Sequence, residues 1–208
     1  GVNLVKKAGL HKILLPTTSG TGSEVTNIAV VTLVEDEIKI GIVSPYMIGD
    51  IAMVDPSLTY GLPPRVTAAT GLDALSHASE TLMSLEANPI TDALALQATE
   101  LIYANLPRAY AIGDAESRYN MSLGSLTAGM AFGNSGVCMG HAIAYAFAVA
   151  YHVPHGVSCG LVLPYVLRFN GSAIGGKLTR IAEALGIVTK DMTPNELTVS
   201  VSEAIFRL

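Results

Sequence analysis

The stretch "PPRVTAATGLDALSHASETLM", residues 63–83, marks the point where the sequence changes from short apolar runs to helical periodicity. Its apolar residues recur every three or four positions, which is the spacing of one face of an α-helix; they are Val66, Ala69, Leu72, Leu75 and Ala78. The prolines at its start suit a first helical turn, because an N–H group there has no helical partner. The pattern predicts a helix over this stretch.

Six more stretches after this one have the same helical period. They are residues 88–110, 117–132, 139–151, 156–170, 175–187 and 195–208. Asn88 is the predicted N-cap of the first of them, with Pro89 at the first helical position. We therefore predict an all-α helical domain over residues 58–208.

The chain before this stretch has a different pattern. Residues 1–57 contain short apolar runs that are rich in β-branched residues and separated by turn residues, which is typical of strands; the runs are 12–16, 28–33, 38–43 and 51–55. Their continuous apolarity predicts strands that are covered on both faces. We interpret residues 1–57 as an α/β remnant of short strands, with a domain boundary near Asp55–Leu62.

The composition narrows the class of protein. Of the 208 residues, 50% are hydrophobic and 14% are charged, and the net charge is −5. These values are typical of a compact globular chain and argue against nucleic acid or an anionic membrane as the partner. No apolar run reaches the roughly 18 residues of a membrane-spanning helix. The high apolar fraction permits a subunit interface, and we expect a homo-oligomer, most simply a dimer.

Two cysteines, Cys138 and Cys159, are too few for a disulfide framework. We interpret both as small buried hydrophobic residues and expect a reducing, cytoplasmic location. The chain opens at Gly1 without a methionine and ends inside a predicted helix. We therefore expect it to be part of a larger protein.

The segment "PTTSGTGSEVT", residues 16–26, follows a predicted strand and is rich in glycine and hydroxyl side chains. Gly20 and Gly22 let a ligand approach the backbone closely, and successive N–H groups in such a turn can bind an anion. The segment is not a dinucleotide fingerprint, because Val25 stands where the third glycine is needed, and it is not a P-loop. A ligand-binding loop and an ordinary polar loop are both compatible with it.

Asp73 and His77 lie four residues apart, so a helix places them one turn from each other on one face. That spacing suits two ligands of one metal ion. It also suits an Asp–His hydrogen bond that involves no metal.

A second group of histidines lies within "HAIAYAFAVAYHVPHGVSCG", residues 141–160. His141 has small and apolar neighbours, and a buried imidazole needs a partner. Pro154 predicts extended chain before it and a helix that starts at or near His155. His152 competes with His155 as a possible ligand.

Two of these histidines, together with Asp73 and His77, would supply three nitrogens and one oxygen to a metal. That ligand set suits Fe²⁺ or Zn²⁺ and suits Ca²⁺ or Mg²⁺ poorly. His11, beside Lys12, lies far from the others in the sequence, and we interpret it as a surface residue.

Four motifs in order resemble the iron-containing (group III) alcohol dehydrogenase family, which has a dehydroquinate synthase-like fold. They are "PTTSGTGSEVT", "DPSLTYGLPPRVTAATGLDALSHASE", "AGMAFGNSGVCMGHAIAYAFAVAYHVPHG" and "LVLPYVLRFN", and they cover most of residues 12–170. The resemblance implies that this chain is the middle portion of such a protein. Residues 1–57 would then be the C-terminal part of its α/β nucleotide-binding domain, and 58–208 an incomplete helical metal-binding domain.

The resemblance also implies roles for individual residues. The metal-ligand positions of the family match Asp73, His77, His141 and His155, whereas His152 matches a position that the family does not use for metal. The loop that lies along the nicotinamide cofactor, NAD or NADP, matches Thr17, Thr18, Ser19, Gly20 and Thr21. Further cofactor contacts match Thr26 and Lys39. Lys39 would lie near ribose or phosphate, although it is also compatible with an ordinary solvated strand residue.

Tyr145 departs from the usual family pattern. Most members carry a histidine at this position, near the substrate, and the branch of hydroxyacid–oxoacid transhydrogenases resembles this chain in carrying tyrosine. We expect Tyr145 to be a catalytic residue that hydrogen-bonds substrate or a water molecule. Packing against Phe147 and the neighbouring helix residues is the alternative.

Three functions are compatible with these motifs. The first is a metal-dependent dehydrogenase, in which Fe²⁺ or Zn²⁺ lowers the pKa of a small alcohol and NAD or NADP accepts hydride. The second is a transhydrogenase with a tightly held nicotinamide. The third is a non-catalytic metal-binding helical domain, which would have no need of the hydroxyl-rich loop.

Overall fold

The computed structural model describes residues 5–33, 35 and 38–208, and the side chain of Lys39 is also outside the description. The described residues form four short strands, which are β1 (Ile13–Leu14), β2 (Ile28–Leu33), β3 (Ile38–Val43) and β4 (Ile51–Ala52). Seven α-helices are described; they are α1 (Pro64–Met83), α2 (Pro89–Ala111), α3 (Ala115–Ser135), α4 (Met139–Tyr151), α5 (His155–Asn170), α6 (Gly176–Ala184) and α7 (Pro194–Phe206).

The strands form two separate pairs. β1 pairs with β4 in parallel, and β2 pairs with β3 in antiparallel register from Ile28↔Val43 to Leu33↔Ile38. The expectation of strands covered on both faces is wrong: the last four residues of β2 and both residues of β4 are exposed. The reason is that each pair stands alone in the described part of the chain, so most strand faces have no second layer to pack against.

The helical periodicity is confirmed, because each predicted stretch overlaps one of the helices α1–α7. Helix α1 begins at Pro64. Helix α2 is capped by Asn88, whose side chain accepts from the N–H groups of Ile90 and Thr91 in a capping box. The boundary between two domains near residue 57 stays a prediction.

One core joins six of the helices. Small residues let the helices approach closely, and larger aliphatic residues fill the space between them. The fully buried large side chains include Leu75, Leu82, Ile102, Met121, Leu163, Leu167, Ile181 and Val201. α4 is the more exposed helix, with only Gly140, His141, Ala144 and Ala148 buried.

Two glycine contacts set the geometry around the buried histidines. At Gly156, the second residue of α5, a Cβ atom would overlap the carbonyl group of Ala69 on α1. At Gly22, which has a φ of 59°, a Cβ atom would lie 2.6 Å from the Cα atom of Gly129 on α3. Close backbone contacts thus hold α5 and the loop of residues 16–26 against the helices, which only glycine permits.

The cysteines differ in burial. Cys159 is buried as expected, whereas Cys138 is only partly buried, because it lies in the turn before α4. Within the described ranges, no helix combines the length and the apolarity needed to cross a membrane.

Candidate metal centre

Three helices bring buried polar side chains to one point. Asp73 and His77 lie one turn apart on α1, His141 lies in the first turn of α4, and His155 is the first residue of α5. Helix α5 starts at His155 because Pro154, its N-cap, has an extended conformation with a ψ of 137°. Residues that are distant in the sequence therefore meet where α1, α4 and α5 pack together.

The distances suit one ion. Nε2 of His141 and Nε2 of His155 each lie 3.6 Å from Oδ1 of Asp73. Sγ of Cys159, one turn after His155 on α5, completes a group of four ligand atoms that all lie within 4.8 Å of one another.

His77 stands beside this group and does not belong to it. Its ring stacks between Phe132, with ring centroids 4.1 Å apart, and His141, with centroids 4.5 Å apart. Its Nδ1 is buried and has no hydrogen-bond partner among the described residues. Burial lowers the pKa of His77 to about 4, so the ring is neutral at pH 7, the form that a metal requires.

Asp73 and His141 also carry buried atoms that lack hydrogen-bond partners in the described part of the chain, Oδ1 and Nε2 respectively. Burial disfavours the charge of Asp73, but the surrounding histidines outweigh it and lower its pKa to about 2. An ionised carboxylate and an imidazole nitrogen that face each other 3.6 Å apart fit a divalent cation between them.

Glu80 was missed in the sequence. Its side chain is 1% exposed, and its Oε1 lies 2.7 Å from Nδ1 of His141. Its other oxygen accepts from the backbone N–H of Cys138 at 2.7 Å. The carboxylate therefore holds the proton on Nδ1 of His141 and leaves Nε2 directed at Asp73, an arrangement common in metal sites.

Two buried carboxylates, Asp73 and Glu80, thus face the same imidazole. Neither has a lysine or arginine partner among the ion pairs of the described residues. Burial disfavours protonation of His141, but Asp73, Cys159 and Glu80 outweigh it and raise its pKa to about 12. The site as a whole therefore favours positive charge.

A cavity of about 530 Å³ opens onto this cluster. Asp73, His77, His141 and His155 line it on the helical side. Residues of the glycine-rich loop and of β2 also line it; they include Thr21, Ser23, Thr26, Ile28 and Thr32. The geometry thus joins the loop and the histidines at one cavity.

The remaining loop residues lie elsewhere. Thr17 is exposed and Thr18 partly buried, and neither lines the cavity. Ser19 is buried, and its hydroxyl lies 3.0 Å from that of Ser122 on α3. Gly20 packs against Thr70 of α1. The predicted contact through Lys39 lies outside the described side chains.

Tyr145 lines the same cavity, one turn after His141 on α4. Its ring stacks on His155, with centroids 5.2 Å apart. Burial raises the pKa of its hydroxyl, so the group is protonated at neutral pH. Phe147, two residues further along α4, makes a tilted ring contact with Tyr151, with centroids 5.9 Å apart.

Comparison with protein families identifies the chain. The C-terminal model of the Fe-containing alcohol dehydrogenase family matches residues 67–208, and the model of iron-containing alcohol dehydrogenases matches residues 2–56. The chain belongs to the iron-containing alcohol dehydrogenase family. The resemblance found in the sequence motifs is therefore confirmed.

Several named proteins of this family are similar to the chain. Long-chain-alcohol dehydrogenase 1 of Geobacillus thermodenitrificans is 46% identical over 187 residues, which is 89% of this chain and 47% of that protein. Lactaldehyde reductase of Escherichia coli is 36% identical over 208 residues, which is 100% of this chain and 54% of that protein. The chain thus spans about half the length of the curated relatives it matches.

Solved structures agree in fold. A 1,3-propanediol oxidoreductase is 39% identical, with a TM-score of 0.95 over 100% of this chain and 55% of that chain. Sulfoacetaldehyde reductase from Bifidobacterium kashiwanohense, solved in complex with NAD⁺, is 37% identical, with a TM-score of 0.86 over 97% of this chain and 53% of that chain. The predicted fold, short strands followed by helices, is that of the iron-containing alcohol dehydrogenases.

Two histidines of this family member do not line the cavity. His152 ends α4 in the left-handed region, with a φ of 53°, and is exposed. The imidazole of His11 is 98% exposed and contacts Asp50. Within residues 141–160, His155 and not His152 therefore lies at the centre together with His141.

Proposed function

We propose that this chain forms the metal centre and part of the cofactor site of an oxidoreductase that transfers hydride between an alcohol, or the corresponding aldehyde or ketone, and NAD or NADP. One observation carries the proposal: Asp73, His141 and His155 meet at a cavity that the glycine-rich loop also lines. Membership of the iron-containing alcohol dehydrogenase family supports it.

The ligands that we propose are Asp73, His77, His141 and His155, and the ion is Fe²⁺ or Zn²⁺. When bound, such an ion supplies a Lewis acid that favours the alkoxide form of the substrate and polarises a carbonyl. The protein contributes position and environment: Asp73 provides negative charge, and Glu80 orients His141 through its Nδ1–H. Phe132, stacked on His77, closes the apolar side of the site.

The nicotinamide would lie along the loop that contains Thr17, Thr18, Ser19, Gly20 and Thr21. Thr21 and Thr26 support this assignment, because their side chains line the cavity next to the histidines. The hydroxyl of Ser19 is already paired with Ser122, so its proposed contact uses the backbone. Lys39 is proposed as a further contact to ribose or phosphate.

We propose Tyr145 as the residue that hydrogen-bonds the substrate. Its protonated hydroxyl can donate, and its ring is held against His155. Replacing Tyr145 with phenylalanine keeps the stacking and removes only the donor. Turnover should fall about tenfold or more, whereas metal content should be unchanged.

The first test measures bound metal. Purified Asp73→Asn and His155→Ala variants are expected to lose the metal and the activity together, because each removes one ligand atom. His152→Asn is the matched control, since His152 is exposed and asparagine tolerates its left-handed backbone. Metal content comes from elemental analysis, and activity from nicotinamide absorbance with simple alcohols. Full metal content and turnover in His155→Ala would contradict the ligand assignment.

A second test separates the dehydrogenase from the transhydrogenase. A dehydrogenase needs added NAD or NADP in stoichiometric amounts. A transhydrogenase would convert a hydroxy acid and a keto acid together without any added nicotinamide. Turnover under the latter condition alone would contradict the dehydrogenase.

The assembly and location that we propose are a homodimer in the cytoplasm. Exposed apolar side chains on the hairpin of β2 and β3 support an interface; they are Val30, Val31, Leu33 and Ile38. Both cysteines are free, which suits a reducing compartment. Analytical ultracentrifugation tests the dimer, and a single species at the mass of one chain would contradict it.

A further inference from the structure

A second cavity lies apart from the metal centre. Its volume is about 640 Å³, which is within the range of small-molecule sites. The two cavities share no lining residue, although the short 3₁₀ turn Ser23–Val25 contributes to both: Ser23 lines the cavity of the histidines, and Glu24 and Val25 line the second one. The proposed hydride transfer therefore makes no use of this cavity.

Glu24 places a buried carboxyl group on the wall of the second cavity. The residue is 5% exposed, and within the described ranges no ion pair includes it. The hydrogen bond to its carboxyl comes from its own backbone N–H. A buried carboxylate is costly unless a cation or several donors compensate its charge. The part of the chain that the structure describes supplies no such cation, so a ligand can supply it.

Apolar side chains form much of the remaining wall and are partly open to water. Ile90, Ile48 and Met130 line the cavity, and their exposed fractions are 72%, 46% and 43%. Leu94 lines it as well. Covering apolar surface favours binding by about 25 cal/mol per Å². A ligand that fits this wall therefore has an apolar body beside its charged group.

Helix α2 begins at this cavity, but its first backbone N–H groups are already satisfied and do not favour an anion. Oδ1 of Asn88 accepts from the N–H groups of Ile90 and Thr91, and the N–H of Asn88 donates to Oγ1 of Thr91. Asn134 supplies an acceptor instead. Its Nδ2 donates to the carbonyl of Met130, which leaves Oδ1 without a donor among the described residues. These groups favour a cation that donates hydrogen bonds.

We propose that this cavity binds a small organic cation, a primary ammonium with an apolar chain. The ammonium group pairs with the carboxylate of Glu24 and donates to Oδ1 of Asn134. The chain covers Ile48, Leu94 and Met130. This site does not depend on the proposed metal centre or on the alcohol substrate.

Hexylammonium is the probe for this site. Calorimetric titration of the purified chain at pH 7 should show one binding site, whereas hexanoate, with a similar chain and the opposite charge, should not bind. Glu24→Gln keeps the shape and removes the charge, so the dissociation constant should rise about tenfold or more. Glu86→Gln, at an exposed position that does not line the cavity, should bind as the wild type does.

Ile90→Ser tests the apolar wall. Because Ile90 is 72% exposed, the substitution should leave the fold intact. The dissociation constant of hexylammonium should rise about threefold or more, through the loss of apolar contact. Ile112→Ser is the matched control, since Ile112 is 73% exposed at the other end of α2 and does not line the cavity.

Methyl spectra of methionine-labelled wild-type protein give an answer even where a variant fails to fold. The methyl signal of Met130 should shift as hexylammonium is added, because Met130 lines the cavity. The signal of Met121, buried in the helical core, should stay in place. A shift of Met121 without a shift of Met130 would contradict the site.

Titrations with and without a chelator separate this site from the metal centre. Equal affinity for hexylammonium is expected in both. Binding that the chelator abolishes, hexanoate binding as tight as that of hexylammonium, an unchanged dissociation constant in Glu24→Gln, or no binding at all would each overturn the proposal. None of these results contradicts the metal centre of Asp73, His141 and His155.

Discussion

At the scale of single residues, Glu80 decides how His141 is presented. The carboxylate accepts from Nδ1–H of His141 and from the backbone N–H of Cys138, the residue just before α4. Gly140 makes room for it, since a Cβ atom there would overlap Oε1 of Glu80. One buried side chain thereby fixes both the ring orientation and the start of the helix that carries it.

Replacing Glu80 tests this role. Glu80→Gln keeps one oxygen acceptor but loses the charge, so metal affinity should fall about 10–100-fold. Glu80→Ala leaves a buried imidazole and an N–H group unpaired, and the free energy of unfolding should drop by about 3–5 kcal/mol. Chelator competition measures the affinity and urea titration the stability. Glu86→Gln, at an exposed position, is the control. A fall in metal affinity in Glu86→Gln as large as the fall in Glu80→Gln would contradict a positioning role of Glu80.

Glu24 is a further buried carboxyl, on the wall of a cavity of about 640 Å³ lined by apolar side chains such as Ile48, Leu94 and Met130. Burial raises its pKa above the ordinary value. The folded state therefore binds the proton more tightly than the unfolded state. Its contribution to stability is present below the unfolded pKa and is lost as the pH rises through the folded pKa.

Glu24→Gln should remove the loss of folding stability that the wild type shows as the pH rises. The variant is expected to be more stable than the wild type at pH 7 and nearly equal to it at pH 4, because glutamine carries no charge to bury. Thermal melts at the two pH values measure the difference. If the wild type does not lose stability relative to Glu24→Gln from pH 4 to pH 7, the burial of this carboxyl is contradicted.

At the scale of elements, the contact of α5 with α1 depends on Gly156. A Cβ atom there would overlap the carbonyl of Ala69, which is backbone and cannot turn aside. Gly156→Ala should therefore push the helices apart and lower the free energy of unfolding by about 1–3 kcal/mol. Metal affinity should fall with it, because His155 is the preceding residue.

Gly176→Ala is the matched control for this substitution. Gly176 begins α6, and a Cβ atom there would have no neighbour within 4 Å. It should leave stability unchanged or raise it by about 0.4–1 kcal/mol, through the loss of unfolded-state entropy. Calorimetry measures the melting temperatures of both variants. Equal values for Gly156→Ala and Gly176→Ala would contradict a steric role of Gly156.

The helices were predictable, and the strand environment was not. The helical spacing of apolar residues and the residues at the helix starts predicted α1 and α2, because proline and an Asn88 capping box act locally. The exposure of β2 and β4 depends on which strands pair, which no local pattern contains.

The candidate site divides in the same way. Spacing on one helix joined Asp73 with His77, and Pro154 indicated His155. The pairing of Glu80 with His141 arises only from the packing of α4 on α1. Cys159 had a usable signal, because it is four residues after His155 and a helix that starts there puts both on one face.

At the scale of the whole molecule, an ion at the centre would fasten three helices together. Ligand atoms on α1, α4 and α5 share it only in the folded state, so binding adds to the free energy of unfolding. At a free Zn²⁺ concentration of 100 times the dissociation constant, the gain should be about 2.7 kcal/mol.

Thermal melts with zinc and with chelator test this coupling. The melting temperature should rise by about 5 °C or more in zinc, given the size of the chain. Asp73→Asn should show no rise, and His152→Asn should behave as the wild type. A rise of equal size in Asp73→Asn would place the stabilising ion elsewhere.

The joining of α1 to α5 through Asp73 and His155 has a consequence for biosynthesis. A ribosome delivers α1 well before α5, so a nascent chain displays the carboxylate while its last imidazole has yet to be translated. Metal capture therefore waits for α5 to emerge, and a ribosome-stalled product that stops before His155 would hold the ion poorly.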